Sequence, residues 1–127
     1  MRIVGHGIDL AEVARVAGLL AQHRERFLER VYTAAEAAAC QGERRRAERL
    51  ALRFAAKEAV LKALGTGLTR GIAWTDVEVA SLPSGKPVVR LHNAAARVAA
   101  ELGVTRWELS LSDAGAWAMA SVIAIAE

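Results

Sequence analysis

Residues 43–64 read ERRRAERLALRFAAKEAVLKAL and contain neither Pro nor Gly. Because strong helix formers make up almost all of this stretch, we predict one long helix from Glu43 to Leu64. Successive residues of an α-helix are rotated by about 100°, and this periodicity places a set of apolar side chains on one stripe. The stripe consists of Ala47, Leu50, Ala51, Phe54 and Leu61. The rest of the fold is expected to pack against it.

Glu58 falls inside this apolar stripe. An ionised carboxylate on a buried surface costs free energy unless a cation, a metal ion or hydrogen-bond donors compensate it. A helical pair with Lys62 would stabilise the helix by roughly a few tenths of a kcal/mol, which explains the lysine but not the position of the carboxylate. The turn Gly65-Thr66-Gly67 follows the helix. The sequence therefore indicates a site for metal and phosphate at this end of the helix.

Length and composition predict a single domain spanning 1–127. The chain has 127 residues, 54% of them hydrophobic, which suits one modest core. No apolar run approaches the roughly 20 residues that cross a bilayer, and the first residues lack the pattern of a signal peptide. The lone cysteine, Cys40, excludes an intrachain disulfide and a cysteine-rich metal site. A cytoplasmic protein with no membrane partner is the simplest expectation.

The chain is basic, with a net charge of +3 and an isoelectric point of about 9.6. Basic residues cluster at 24–30 and 44–53, which favours an anionic partner such as a nucleotide, a nucleic acid or an acidic protein. Glutamates interleave with both clusters, so a solvated face of ion pairs explains them equally well.

Alternation and turn residues divide the rest of the chain into short strands and helices. We predict strands at 2–8, 74–80, 88–91, 106–112 and 117–125, with a hairpin turn at 82–87. Thr33 and Glu36 have the spacing of a capping box that opens a short helix, and Asn93 is predicted to cap an Ala-rich helix. The fold class is α+β, an antiparallel sheet packed against one long helix and several short helices.

Two interpretations of Asp9 stay open. With Glu12 it has the spacing of a capping box, which would make Asp9 the N-cap of a helix running to about Gln22. It also ends a strand beside two glycines, where the backbone can approach a ligand closely. If Asp9 and Glu58 converge, their oxygens suit Mg²⁺, which is commonly held by one or two carboxylates plus substrate phosphates. Spacing alone does not bring them together.

Five segments, in order along the chain, resemble the holo-acyl-carrier-protein synthase family, the small stand-alone type of 4′-phosphopantetheinyl transferase. They are Gly7-Ile8-Asp9-Leu10, Arg53-Phe54-Ala55-Ala56-Lys57-Glu58-Ala59, Leu64-Gly65-Thr66-Gly67, Gly85-Lys86-Pro87 and Leu109-Ser110-Leu111-Ser112. The resemblance covers essentially the whole chain, and the central segment is its most specific part. It implies transfer of the phosphopantetheine arm of coenzyme A (CoA) to a serine of an apo acyl carrier protein, releasing 3′,5′-ADP.

The resemblance also implies roles for individual residues. Asp9 and Glu58 match the acidic residues that hold Mg²⁺ against the CoA pyrophosphate, and Lys62 matches a lysine acting beside that pyrophosphate in charge stabilisation or proton transfer. Other residues fall at positions that resemble those of the family's CoA-binding pocket, namely Lys57, Lys62, Gly65, Lys86, Pro87 and Ser112. Arg15, on the first helix, falls at a position that resembles the family's docking surface for the acidic carrier protein, with Arg26 and Arg53 as its companions. Members of this length are homotrimers, with each active site between neighbouring subunits.

One departure from the family pattern concerns Asp113, which stands where the family usually carries a histidine. If that position binds a CoA phosphate, an aspartate repels it unless the metal or Lys86 compensates; if it assists deprotonation of the carrier serine, Asp113 could replace the base. Asp113 is therefore kept as a candidate CoA-site residue, and a degenerate member that binds CoA without catalysis is an alternative.

A different class of function is a non-catalytic nucleic-acid-binding module that uses the arginine-rich stretch 44–53. Its affinity would fall steeply with salt and need no metal. The chain has no aromatic stacking platform, helix-turn-helix signal or zinc knuckle, so we expect no nucleic-acid partner.

Overall fold

Two antiparallel sheets and one long helix organise the chain, which the computed structural model describes over residues 1–127. The strands are β1 (Arg2–Glu12), β2 (Val77–Ser81), β3 (Pro87–Leu91), β4 (Arg106–Ala114) and β5 (Trp117–Ala126). The helices are α1 (Val13–His23), α2 (Glu25–Val31), α3 (Ala34–Ala39), α4 (Arg46–Leu64) and α5 (Asn93–Glu101). Strands run in the order β1-β5-β4 in one sheet, and β2 and β3 form a hairpin. The predicted α+β class is confirmed.

The long helix α4 packs on the three-stranded sheet at very short range. A Cβ added to Gly5 would lie 2.0 Å from the Ala63 carbonyl oxygen, and one added to Gly7 would lie 1.8 Å from that of Ala59. Real Cβ atoms do not approach that closely, so the two glycines let the backbone of β1 touch the backbone of α4. This contact fixes the end of β1 beside the last turns of the helix.

Small side chains fill much of the interface between helix and sheet. Alanines of α4 and of the central strand β5 that are completely buried are Ala51, Ala55, Ala56, Ala59, Ala118, Ala120 and Ala124. Larger core residues, such as Leu50, Val60 and Val122, lie among them. The helix is thus buried around most of its circumference, rather than on the single stripe expected from its periodicity.

The opposite face of the three-stranded sheet carries an exposed apolar patch where β1 pairs with β5. Leu10 of β1 and Met119 of β5 are direct neighbours in the register. Trp117 lies two residues before Met119 on β5, so its side chain is on the same face. With Ile8, these side chains are 38% to 59% exposed. Large apolar side chains gathered on one exposed face indicate a surface that binds a partner.

The start of the first helix differs from the prediction. Asp9 is not an N-cap, because β1 continues through Glu12 and pairs with β5 along its length. Glu12 is the capping residue of α1 and makes no side-chain cap. Backbone pairing with β5 satisfies this segment's hydrogen bonds, so it does not need the capping box that the local sequence offers.

Other boundaries shift by a few residues. α4 begins at Arg46 instead of Glu43, after Gly42 and Arg45 adopt positive φ angles. Trp74–Asp76 form a 3₁₀ turn before β2. Asn93 is the first residue of α5 rather than its cap. The capping box of Thr33 and Glu36 at α3 is present as predicted. No helix combines the length and hydropathy needed to cross a membrane.

Candidate active site

Asp9 and Lys62 meet where β1 crosses the end of α4. The Lys62 ammonium donates to Asp9 Oδ1 at 2.7 Å and to the Ile8 carbonyl oxygen at 3.0 Å. Its hydrogen bond with Asp9 raises the pKa of Lys62, so the lysine stays protonated around neutral pH. Because Lys62 is more than half exposed, this pair adds little stability. Its consequence is a fixed positive charge at the mouth of the site.

Glu58 lies beside Asp9, one helical turn before Lys62. Burial raises the pKa of Glu58, and the neighbouring Asp9 carboxylate raises it further, while Lys62 and Arg15 pull it down. Two carboxylates that repel each other in a partly buried place are unfavourable unless a cation joins them. The structure therefore brings together the two acids whose convergence the sequence left open.

The two carboxylates fit a Mg²⁺ ion that a substrate completes. No group of three or more His, Cys, Asp or Glu side chains lies together in the structure. A closed site made only of protein ligands is thus not present, whereas Mg²⁺ typically uses one or two carboxylates with water and substrate phosphates. Asp9 and Glu58 supply that donor set, and a cation between them relieves their repulsion.

An apolar cavity of about 290 Å³ opens directly beside Glu58. Its walls come from β1, α1, α4 and β5, and the apolar lining residues are Leu10, Ala11, Val16, Leu19, Phe54 and Trp117. Arg15 of α1 borders the same cavity as Glu58. Arg26 lines a neighbouring cavity of about 430 Å³ with His23 and Arg30, and Leu19 belongs to both. Arg15 and Arg26 therefore border one continuous surface that leads to the carboxylates.

The β2–β3 hairpin forms a third cavity, of about 340 Å³, with β4 and α4. Gly85, Pro87, Ser110 and Arg53 line it. The Arg53 Nε is buried and has no hydrogen-bond partner, which is costly for a cationic donor. Arg53 thus lies with the hairpin residues and not with Arg15 and Arg26.

The remaining candidate CoA residues are accessible to solvent. Gly65 ends α4 with a left-handed φ of 76°. Ser112 of β4 is exposed and lies opposite Met119 in the register. Lys86, in the hairpin turn, is exposed and lies 3.8 Å from a carboxylate oxygen of Glu108. The side chain of Lys86 therefore has room to reach a ligand.

Asp113 has a counter-ion that the sequence did not indicate. Its carboxylate accepts a hydrogen bond from Arg45, and both residues line a cavity of about 530 Å³ with Arg44 and Arg49. Neither Lys86 nor a metal is needed to offset the Asp113 charge. Arg45 was missed because it lies 68 positions away in the chain, and nothing local in the sequence pairs the two.

Lys57, which the resemblance places in the CoA pocket, lies inside the protein and apart from the accessible CoA candidates. Its side chain is completely buried, and its ammonium donates to Glu36 Oε1 at 2.6 Å and to the carbonyl oxygens of Trp74 and Val77. No part of Lys57 can reach a ligand at the surface. The buried charge of α4 is therefore Lys57, whereas Glu58, singled out by the apolar stripe, is only partly buried.

Known proteins share this fold and sequence. Residues 5–122 match the 4′-phosphopantetheinyl transferase superfamily. The holo-[acyl-carrier-protein] synthase of Koribacter versatilis is 48% identical over 121 residues, covering 95% of this chain and 97% of the relative. That of Methylobacterium radiotolerans is 49% identical over 125 residues, covering 95% and 92%.

Solved structures agree with the sequence matches. The holo-[acyl-carrier-protein] synthase of Neisseria meningitidis superposes with a TM-score of 0.88 at 31% identity, covering 98% of this chain and 99% of that one. The Bacillus anthracis synthase in complex with CoA (3′,5′-ADP) gives 0.81 at 32% identity, with 98% of each chain covered. Because the family match and these relatives cover nearly its full length, the chain belongs to the 4′-phosphopantetheinyl transferase superfamily, among its holo-[acyl-carrier-protein] synthases.

Proposed function

We propose that this enzyme transfers the 4′-phosphopantetheine group of CoA to a serine of an apo acyl carrier protein. The observation that carries the proposal is the convergence of Asp9, Glu58 and Lys62 beside an apolar cavity, in a chain of this family. The serine hydroxyl attacks the phosphorus that bears pantetheine and releases its proton. A new P–O bond forms, the pyrophosphate bond breaks, and 3′,5′-ADP leaves.

Asp9 and Glu58 are proposed to hold Mg²⁺. Bound there, the ion would neutralise the CoA pyrophosphate and polarise its phosphorus toward attack. Lys62 carries a fixed positive charge at the same place and stabilises the negative charge that gathers on the leaving group. Asp9 and the Ile8 carbonyl oxygen accept two of the three ammonium hydrogen bonds, which leaves the third donor for a phosphate.

We propose that CoA lies between the carboxylates and the β2–β3 hairpin. The hairpin presents Gly85, Lys86 and Pro87, and Arg53, which lines the same cavity, supplies a positive charge for an anionic group. Gly65 and Ser112 are accessible companions. Asp113 contributes through its pair with Arg45, which reduces its repulsion of a phosphate. The CoA-bound relative from Bacillus anthracis supports CoA as the substrate.

The acidic carrier protein is proposed to dock on the continuous surface of Arg15 and Arg26. Both arginines border cavities on α1 and α2 that share Leu19, and Arg15 lies next to Glu58. Positive charge beside apolar side chains such as Leu19 and Phe27 suits a partner that is acidic and presents a few apolar side chains. Arg53 is not proposed as part of this surface, because it lines the hairpin cavity instead.

We further propose a homotrimer in the cytoplasm. The exposed apolar face of Ile8, Leu10, Trp117 and Met119 supports self-association, because it lies next to Asp9 and would place the site beside a neighbouring subunit. The unpaired, buried Cys40 agrees with a reducing compartment.

A nucleic-acid-binding role has less support. Arg49, central to the arginine-rich stretch, donates to the carbonyl oxygens of Ala39, Gln41 and Gly42, and Arg45 is paired with Asp113. The guanidinium groups of Arg45 and Arg49 are thus already bonded to groups of the same chain, which leaves them less available to a nucleic acid.

Intact-protein mass spectrometry tests the activity. Apo acyl carrier protein incubated with the enzyme, CoA and Mg²⁺ should gain the mass of one phosphopantetheine. The gain should disappear with EDTA and with Asp9→Ala, while Glu101→Ala, an exposed carboxylate of α5 paired with Arg70, serves as the control and retains it. A folded enzyme that CoA stabilises thermally but that modifies no carrier would instead support the degenerate alternative.

A further inference from the structure

Lys57 and Glu36 form an ion pair that is sealed from solvent. Both side chains are completely buried, and the ammonium lies 2.6 Å from Glu36 Oε1. Burial lowers the pKa of Lys57, although Glu36 opposes this effect. Neither residue has a part in the transfer reaction as described above. A buried pair of this kind needs a reason other than chemistry.

Stability alone does not supply that reason. Replacing a buried ion pair by apolar residues of similar volume is often neutral or stabilising, because desolvation offsets the attraction between the charges. What such a pair does impose is geometry, since each charge must have its partners at fixed directions and distances. The question is then which elements the pair holds in place.

The free edge of β2 supplies the answer. β2 pairs with β3 on one side only. On the other side, the Val77 carbonyl oxygen accepts from the Lys57 ammonium, and the Val79 amide donates to Glu36 Oε2 at 2.8 Å. Lys57 also donates to the Trp74 carbonyl oxygen, just before the strand. Together the two side chains satisfy the backbone groups that a neighbouring strand would otherwise satisfy.

The pair connects the two halves of the proposed CoA site. Lys57 precedes Glu58 on α4, so its position is tied to that of the metal-binding carboxylate. β2 leads into the turn with Gly85 and Pro87, which lines the hairpin cavity. Glu36 is itself anchored, because its Oε1 accepts from the Thr33 amide in the capping box. A rigid chain of contacts thus runs from α4 to the hairpin.

We infer that Lys57 and Glu36 are positioning residues, which act as a substitute strand on β2 and set the distance between the hairpin and the Glu58 carboxylate. The inference rests on the proposed CoA binding by the hairpin. In this inference the pair increases the affinity for CoA by keeping the hairpin cavity pre-formed, and it has no part in the chemical step. Without a pre-formed cavity, the hairpin would have to be ordered as CoA binds, which weakens the affinity.

Glu36→Gln tests the inference with little change in volume. The amide keeps one acceptor but turns an NH₂ group toward either Lys57 or the Val79 amide, so one contact fails. We expect the KM for CoA, and the CoA dissociation constant from calorimetry, to rise about tenfold or more, with kcat within about twofold. Glu101→Gln, the same change at an exposed α5 carboxylate paired with Arg70, is the matched control and should leave CoA affinity unchanged.

A merely structural pair gives a different result. In that case Glu36→Gln lowers the melting temperature, but the folded enzyme binds CoA with wild-type affinity, and the inference is overturned. The double variant Lys57→Met/Glu36→Leu adds a second test, because apolar replacement preserves folding in many proteins. A folded double variant with wild-type CoA affinity would equally overturn the inference.

Amide hydrogen exchange of the wild-type enzyme needs no variant at all. If the pair closes the edge of β2, the Val79 amide should exchange as slowly as the β2 amides that bond to β3, both with and without CoA. Fast exchange of Val79 in the free enzyme, slowed only by CoA, would contradict a pre-set hairpin. Wild-type enzyme that fails to bind CoA would refute the proposed function. The Val79 exchange rate separates the two failures, because slow exchange in that enzyme would show that the pair still closes the edge of β2.

Discussion

Lys57 and Glu58 are adjacent in the chain and have opposite surroundings. Lys57 points into the protein, where Glu36 and two carbonyl oxygens surround its ammonium. Glu58 is only partly buried and faces Asp9, a group of its own charge. The first residue is fully paired within the protein, while the second keeps a raised pKa despite the nearby Lys62 and Arg15. This difference agrees with a role in the fold for Lys57 and with the proposed metal-binding role of Glu58.

Glu58→Gln should abolish transfer and stabilise the metal-free fold at neutral pH. Because burial and Asp9 raise the pKa of Glu58, keeping it ionised in the folded protein costs free energy. Below the ordinary Glu pKa of about 4.3, the residue is protonated in both folded and unfolded states and costs nothing. As the pH rises through the raised pKa, wild-type stability falls relative to the variant.

Thermal unfolding in EDTA at several pH values measures this difference. The melting temperature of Glu58→Gln should exceed that of wild type at pH 7 and converge with it near pH 4. Retained transfer by the variant at saturating Mg²⁺ would remove Glu58 from the proposed metal site.

The Arg45–Asp113 pair makes a prediction by double-mutant cycle. Arg45→Ala leaves the Asp113 carboxylate without its counter-ion near the proposed CoA site, so CoA affinity should fall about tenfold. Removing the acid as well, in Arg45→Ala/Asp113→Ala, should restore part of that affinity. Calorimetry with CoA measures all four proteins. Additive losses in the cycle would show that the pair does not act as a unit.

Residue patterns identified part of the site. The motif resemblance brought Asp9, Glu58 and Lys62 together, and the structure places them side by side. The burial of Lys57 could not be found in this way, because its partners come from α3 and from the backbone before β2, which are distant in sequence. The same reason hid Arg45 as the partner of Asp113.

At the level of elements, the contact between β1 and α4 builds the site. Gly5 and Gly7 bring the two backbones together, and Asp9 follows two residues after Gly7, at the level of Glu58 and Lys62. A helix and a strand with ordinary side chains between them would lie farther apart, at about the 10 Å typical of packed layers. The glycines therefore determine whether the carboxylates can meet.

Gly7→Ala should destabilise the enzyme and separate its carboxylates. The added methyl group would lie 1.8 Å from the Ala59 carbonyl oxygen, so strand and helix must move apart at a cost of about 1–3 kcal/mol. Denaturant unfolding measures the loss, and transfer activity should fall in the protein that remains folded. Gly18→Ala in α1 is the matched control, because nothing lies within 4 Å of its added methyl group and helix propensity favours alanine.

Most elements could be predicted from the sequence, and their ends less well. The capping box of Thr33 and Glu36 is local and appears as predicted. That of Asp9 and Glu12 was a wrong prediction, because pairing with the distant strand β5 extends β1 past it. Local signals decide a boundary only where no long-range hydrogen bonds compete for the same backbone.

The whole molecule presents one surface that a single chain leaves open. The apolar face of Ile8, Leu10, Trp117 and Met119 lies on strands β1 and β5, on the side of β1 opposite to the Asp9 side chain. Covering it with a second copy would bury apolar area and bring a neighbouring subunit to the site. Subunit assembly and catalysis would then depend on the same strand.

Met119→Lys should weaken assembly of the proposed homotrimer. A charge at the centre of the apolar face must be desolvated on association, so the trimer should dissociate to smaller species at micromolar concentration. Light scattering after size exclusion gives the mass directly. Leu102→Lys, at an exposed apolar residue beyond α5, is the control and should leave the mass unchanged. A wild-type monomer would reject the trimer.

The alanine-rich interface between α4 and β5 has a consequence for how this protein tolerates change. In a core of leucines, truncation leaves voids, and shortening side chains is the main hazard. Here the buried alanine side chains are single methyl groups, so truncation removes little volume. Every larger side chain at these positions must push the helix away from the sheet. Substitutions in this interface should therefore be limited by the size of the new side chain. In a saturation mutagenesis library, unfolded variants should be most frequent at the positions where the native residue is smallest.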